Sequence, residues 1–412
     1  MKVFFWGIGK RCEKALDSFI GEDSEIAGFI DNNPEYKEKI YQGKPIYAFN
    51  DVIEQDFDYI VITIQKYNAI LYQISSRGIS QDKVICYFRP ENCDKKYDSI
   101  FDMQKWRINL LEERVEQLEY LLNIRFNNLE YEVADKIEKG KYWFPTILDD
   151  KEAVEKIVRE KCSLVRFGDG EFVVMSGKNH RCYQDYNEVL AERLKQILQS
   201  DDEKIMIGIA RNYGDLDIYI EETADGIRNY MTREVREFHD LLLKRDKVYC
   251  DTYLFKSYFP YRDKENTKKR FDMIKRIWND RDVVIIEGDK TRTGYDNELM
   301  DNVKSLHRIL CPTQHAFGSY DDILEAAQQI DKDSLILVVL GPAAKPLVYD
   351  LAKQGYQAID LGQIDMDYEW YRAGVGLKVP NPRKYVSQLP PAEVLELEDE
   401  NYAKQIIARV GV

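Results

Sequence analysis

Two carboxylates one residue apart, interleaved with glycines, occur in the segment Ser163-Leu164-Val165-Arg166-Phe167-Gly168-Asp169-Gly170-Glu171-Phe172. The apolar run before them reads as a buried strand, which puts Asp169 and Glu171 in the loop at its carboxyl end. In an open α/β sheet that edge borders the crevice where ligands bind, and glycines let backbone approach a phosphate closely. Paired carboxylates there suit Mg2+ or Mn2+, hard cations that take a few carboxylate oxygens and complete their shell with phosphate and water. Such a cation would neutralise a departing diphosphate as a Lewis acid. A bare D-x-E is more often an Asp-Gly turn with solvated charges, so neighbouring motifs must carry the reading.

Several do. The strand-like run Val283–Ile286 leads into Glu287-Gly288 and then Arg292-Thr293-Gly294-Tyr295-Asp296-Asn297-Glu298-Leu299. Arg292 is a natural bidentate partner for a diphosphate and Gly294 permits close approach, the alternative being a surface arginine. Leu340-Gly341-Pro342-Ala343-Ala344-Lys345 follows the most apolar strand and either offers backbone N–H groups to an anion or is a tight turn into a helix. In Gln363-Ile364-Asp365-Met366-Asp367-Tyr368-Glu369-Trp370, glutamine cannot take a proton. Acid/base work there would fall to Glu369 or Asp365, with Gln363 left to hydrogen-bond a hydroxyl or phosphate; the alternative is acidic residues facing solvent around buried aromatics. Lys256, Tyr258 and Arg262 could line an acceptor groove, or the aromatics could be core.

In this order, from 145 to 371, these motifs resemble those of the GT-D-type glycosyltransferases, a family first catalogued as a domain of unknown function. The resemblance implies metal roles for Asp169 and Glu171. It places Arg166, Gly168, Gly288, Arg292, Gly294, Asn297, Pro312, His315, Gly341 and Lys345 at the nucleotide-sugar site, and Gln363, Asp365 and Glu369 in the catalytic segment. It further implies a UDP-sugar donor, with UDP-glucose favoured, Mn2+ or Mg2+, and a glycan acceptor on a glycoprotein or polysaccharide. Two positions depart from the family pattern: Asp296 stands where a glycine is expected, and Gln363 where a histidine is.

The elements that must position these residues read as α/β, with two Rossmann-like parallel-sheet domains joined by a helical connector. Strands are expected at Val3–Trp6, Ile26–Ile30, Tyr59–Ile64 and Val84–Phe88 in a small first domain, 1–98. A second set at Leu164–Phe167, Ile205–Ile209, Lys247–Cys250, Val283–Ile286, His307–Leu310, Leu335–Leu340 and Ala358–Leu361 belongs to a larger domain, 141–412, closed by a proline-containing, acid-rich wrap and a final short helix. Between them, 99–140 reads as helix, with Ile108, Leu111, Val115, Leu118 and Leu122 forming one apolar seam. Two heptads are short for a free coiled coil, so the seam is expected to pack on its own domain, with a homo-oligomer through helix 102–139 as the alternative.

Composition narrows the class of partner. A net charge of −14 without a basic block argues against nucleic acid. Seven cysteines, an odd number without a C-x-x-C pair, argue against a disulfide framework or a zinc site and fit a reducing, cytoplasmic setting. No apolar run reaches membrane-spanning length. None of the four histidines has a metal-ligand spacing. Gly7-x-Gly9, with Cys12 at the third fingerprint position and Asp31 ending the second strand, is half of a dinucleotide motif. That half motif motivates a rival reading, an NAD-dependent sugar-modifying oxidoreductase, while Gln363 and Asp296 motivate a third, a non-catalytic nucleotide-binding protein.

Overall fold

The computed structural model describes the chain apart from residues 20–24, 37–38, 65–67, 88–99, 180–183, 377 and 387–393. It forms two compact units, Met1–Arg125 and Phe126–Val412.

The first unit is built on strands β1 (Lys2–Trp6), β2 (Glu25–Ile30), β3 (Ile40–Tyr41), β4 (Lys44–Tyr47), β5 (Tyr59–Ile62) and β6 (Val84–Cys86), ordered β3-β4-β2-β1-β5-β6. All pairs are parallel except β3–β4, a hairpin whose loop residues Gln42 and Gly43 both have positive φ, as a two-residue turn between right-twisted strands requires. Side-chain alternation along β1 sends Phe4 and Trp6 into one core layer and Val3 and Phe5 into the other.

The second unit carries β7 (Thr146–Ile147), β8 (Ser163–Phe167), β9 (Ile205–Ile209), β10 (Val248–Asp251), β11 (Asp282–Gly288), β12 (Ser305–Cys311), β13 (Leu335–Val339), β14 (Gln357–Asp360) and β15 (Ile406–Arg409). They form one sheet in the order β15-β12-β11-β13-β14-β8-β9-β10-β7, with every pairing parallel. A parallel sheet needs both faces covered, and the central strands are correspondingly buried and mostly apolar, with Arg166, Glu287 and Asp360 as buried charges near their carboxyl ends. Val165, Phe167, Ile336 and Val338 pack under the helices Glu188–Leu198 and Ala344–Lys353. Leu164, Leu335 and Leu337 face the opposite layer, formed by the helices Asp150–Glu160, Thr267–Lys275 and Ile364–Ala373.

Because all strands point the same way, their carboxyl ends share one edge. The chain leaves β8 toward one layer and β14 toward the other, and the same divergence separates β11 from β13. Crevices open where neighbouring connections diverge, and the ends of these four strands carry most of the candidate residues.

The helix Ile100–Lys136 is continuous, and the division into units falls inside it rather than at 98 or 140, because Asn128, Glu132 and Asp135 tie its last third to Arg228, Arg236 and the Asp215 backbone. Its seam does not pack on its own domain: Leu111, Val115, Leu118 and Leu122 are each more than half exposed. The tail ends in the expected short helix, Glu400–Gln405, but then adds β15, a four-residue edge strand half open to solvent and too short to read by alternation.

Candidate functional site

Beyond β8 the chain turns directly into the helix Asp169–Met175, with Gly168 as N-cap. A glycine offers no side-chain cap, and Glu171 supplies the half of a capping box that remains: its Oε2 accepts the Gly168 N–H at 2.8 Å. The two carboxylates of D-x-E are therefore not equivalent. Glu171 is buried, with Oε1 2.9 Å from the Lys345 ammonium, whereas Asp169 is exposed and has no hydrogen-bond or ion-pair partner among the described residues.

Lys345 enters from the start of the helix Ala344–Lys353, after the turn that follows β13, and donates to the Gly341 carbonyl at 3.1 Å. It also lies 3.1 Å from Asp360 Oδ2 at the end of β14. Arg166, on β8 beside it, donates through Nε to the Asp360 carbonyl at 2.6 Å and through Nη1 to the Thr252 carbonyl at 2.8 Å, with Nη2 3.4 Å from Asp360 Oδ1. Burial alone would push the Lys345 pKa down and the Asp360 pKa up; the opposite charges outweigh it and hold Lys345 above and Asp360 below their usual ranges. Gly362 turns away at φ +55°, and a Cβ there would collide with the Arg166 guanidinium. Four buried charges thus cancel across three strand ends, leaving Asp169 at their rim.

Lys256, just after the short turn Thr252–Phe255 that follows β10, faces the same rim. Its ammonium has no acceptor or carboxylate in bonding range among the described residues, only the Tyr253 ring at 5.1 Å. Burial holds its pKa down, against the pull of Asp169.

A second polar cluster links β11 to the segment after β14. Asp365 Oδ1 accepts from Gly294 N at 2.7 Å and Asn297 Nδ2 at 2.8 Å, and Oδ2 lies 2.8 Å from Lys384 Nζ. Lys384 also reaches Glu369 Oε1 at 3.0 Å, and Asn297 donates to the same oxygen. Asp296 adopts φ +58°, a conformation that aspartate tolerates better than most side chains, so the loop keeps the backbone that a glycine would give. Gln363 is the N-cap of the helix Ile364–Ala373, one residue from Gly362.

The other expected donor contacts are placed differently. Arg292 is buried, and its Nη1 donates to the carbonyls of Arg383 at 2.8 Å and Leu395 at 2.9 Å, tying down the C-terminal wrap. Gly288 is required by close packing, since a Cβ would sit 2.7 Å from Thr313 Cα. His315 is exposed beyond β12, with Nδ1 accepting the Asp185 N–H at 3.3 Å, and Pro312 lies where a Cβ on Gly411 would meet it at 3.1 Å; among the described residues no hydrogen bond or ion pair joins either to the Asp169 rim. Tyr258 and Phe259 prove to be core, their N–H groups held by buried Asp367 at 2.7 and 2.9 Å. In the first unit Gly7 and Gly9 have positive φ, and Asp31 Oδ1 accepts the Asn33 N–H at 2.8 Å.

Sequence reasoning did not single out Asp360 or Lys384. Asp360 had a signal, a lone acid closing an apolar strand; Lys384 had none, lying in the proline-bearing tail. His239 is also central: it stacks on Phe172 at 3.8 Å, between Tyr213 at 2.6 Å from Nδ1 and Tyr230 at 3.0 Å from Nε2. Burial and Arg236 lower its pKa to about 3.

As to a divalent cation, no group of three or more His, Cys, Asp or Glu side chains converges among the described residues. Among the described residues Asp169 and Glu171 are the pair on offer, and two carboxylates are enough for an ion that fills its shell with phosphate and water. Asp169 fits that part with both oxygens unshared; Glu171 has one oxygen on Gly168 and the other on Lys345.

A family model described as "Glycosyltransferase GT-D fold" matches residues 164–389, more than half of the chain and all four strand ends above. The chain belongs to the GT-D glycosyltransferases. Among curated relatives of this GT-D chain, "Probable glycosyl transferase Gly" of Streptococcus gordonii is 30% identical over 268 residues, covering 65% of this chain and 39% of that protein. "Glycosyltransferase GlyD" of Streptococcus pneumoniae serotype 4 is 33% identical over 261 residues, 63% of this chain and 32% of that one. The chain thus spans 32–39% of the length of the curated relatives it matches. Solved structures of glycosyltransferase domains are similar to the same part of the chain. One, described as "The highly conserved domain of unknown function 1792 has a distinct glycosyltransferase fold", matches with TM-score 0.62 and 36% identity over 65% of this chain and 96% of its own. Another, from Streptococcus sanguinis, matches with TM-score 0.62 and 30% identity over 65% of this chain and 100% of its own. A separate model, "C2185-like, N-terminal", matches residues 1–85. Among the described residues no helix is long and apolar enough to cross a membrane.

Proposed function

We propose that this GT-D enzyme transfers a hexose, with glucose from UDP-glucose the favoured case, to a glycan acceptor on a glycoprotein or polysaccharide, assisted by Mn2+ or Mg2+. The observation that carries the reading is the Asp169 carboxylate, without a partner among the described residues, at the rim of a charge-compensated crevice and within electrostatic reach of the Lys256 ammonium, which likewise has no acceptor among them. Asp169, with Glu171 behind it, would hold the cation, which when bound offsets charge on the leaving diphosphate. Lys256 and Lys345 present positive charge to the same diphosphate, and Arg166 and Asp360 fix Lys345 in place. Gly168, Gly288, Gly294 and Gly341 keep backbone close to the crevice, Gln363 hydrogen-bonds the donor, and Asp365 and Glu369 face the sugar, their charge moderated by Lys384 and Asn297. Arg292, Pro312 and His315 act from outside this group by holding the loops that flank the nucleotide.

The setting proposed is cytoplasmic, in keeping with free, buried Cys12, Cys162, Cys250 and Cys311, and the assembly is a homo-oligomer through helix 102–139. The test is a thermal-shift panel of nucleotide sugars with and without Mn2+, together with metal-dependent UDP release. A shift with UDP-glucose and Mn2+ that disappears in Asp169→Ala supports the proposal; a response only to NAD(H), or none to any nucleotide sugar, overturns it.

A further inference from the structure

Along the helix Ile100–Lys136, Leu111, Val115, Leu118 and Leu122 are spaced 4, 3 and 4 apart, the a/d repeat of a coiled coil, and all are exposed. Val115 and Leu122 take a positions; Leu111 and Leu118 take d. Extended backward, the repeat puts Ile108 at a; extended forward, it meets Arg125 at d, which ends the apolar seam. Val115 at a between Leu111 and Leu118 at d is the β-branched and leucine arrangement that favours two parallel strands.

The flanking positions choose the partner. In a parallel in-register pair, each g residue meets the e residue five positions later on the other chain. Arg114 would face Glu119, and Leu121 would face Phe126, which is 78% exposed. One opposite-charge pair and one apolar pair, each repeated by symmetry, make the surface complementary to itself.

Two or three heptads seldom hold free peptides together, because ordering the helices costs too much. Here the helix is already formed, and its last third is anchored by the Arg228–Glu132 pair at 2.8 Å and the Asn128 bonds to Arg228 and Arg236. We infer that the helix between Ile108 and Phe126 pairs with the same segment of a second copy as a parallel, in-register, two-stranded coiled coil. This rests on the oligomer reading above and is independent of the transferase chemistry.

Sedimentation or light scattering of the full chain should give twice the monomer mass, and Leu118→Glu/Leu122→Glu should halve it without changing UDP-glucose hydrolysis, which separates failure of this inference from failure of the enzyme reading. Arg114→Glu alone and Glu119→Arg alone should each be monomeric, and an equimolar mixture should be dimeric. A monomeric wild-type chain, a dimer unmoved by the Leu118/Leu122 double change, or a mixture that stays monomeric would overturn the proposal.

Discussion

The Lys345 ammonium lies 2.9 Å from Glu171 Oε1 with both side chains nearly excluded from water, so the second carboxylate of D-x-E enters the site already paired. Removing the Lys345 ammonium would leave Glu171 without a counter-charge, and Asp360 with Arg166 alone, in a dry region where an orphaned charge costs far more than an exposed one. Lys345→Met is expected to lose about 3–5 kcal/mol of stability in chemical denaturation. Lys345→Met/Glu171→Gln should recover part of that loss; no recovery would mean that the two are not coupled.

Asp169 has no hydrogen-bond or ion-pair partner to lose among the described residues. Asp169→Ala should leave stability within about 0.5 kcal/mol while lowering metal-dependent turnover by about a hundredfold or more. An equal fall in melting temperature and turnover would instead assign Asp169 a folding role.

Burial already disfavours the charged form of Lys256, which has no acceptor among the described residues to offset it. Lys256→Met should therefore match or exceed the wild-type melting temperature, yet raise the donor KM about tenfold through loss of one charge-assisted contact. Isothermal titration with UDP, with and without Mn2+, checks the binding part.

His239 stays neutral in the folded chain down to about pH 3, whereas an unfolded histidine protonates below its ordinary 6.5. Between those values the unfolded state binds more protons, so stability falls as pH falls, by about 3 kcal/mol from pH 6.5 to 4. His239→Gln cannot take a proton and should show a correspondingly shallower decline in denaturation midpoints over that interval.

Arg292 grips two carbonyls of the C-terminal wrap. Arg292→Ala should cost about 2–3 kcal/mol by leaving those acceptors unsatisfied, and should expose the tail to limited proteolysis. If it weakened donor binding with the melting temperature unchanged, the arginine would be a diphosphate contact instead.

The sequence alone determined the α/β class, the central strands of the second sheet and the place of D-x-E at a strand end, because continuous apolar runs and glycine-bearing breaks are local signals. The edge strands β3, β7 and β15 escaped notice because two to four residues carry no period. Charge pairing was illegible for a different reason: Lys345 meets Glu171 across 174 positions, and Lys384 meets Asp365 only after the tail folds back. Spacing shows which side chains share a helix face or strand end, but not which opposite charge sits across the crevice. Arg292 illustrates the limit, since its type suited a phosphate while its burial gave it to backbone carbonyls. Tertiary packing made that decision, because a guanidinium out of water must bond to whatever acceptors the fold brings to it.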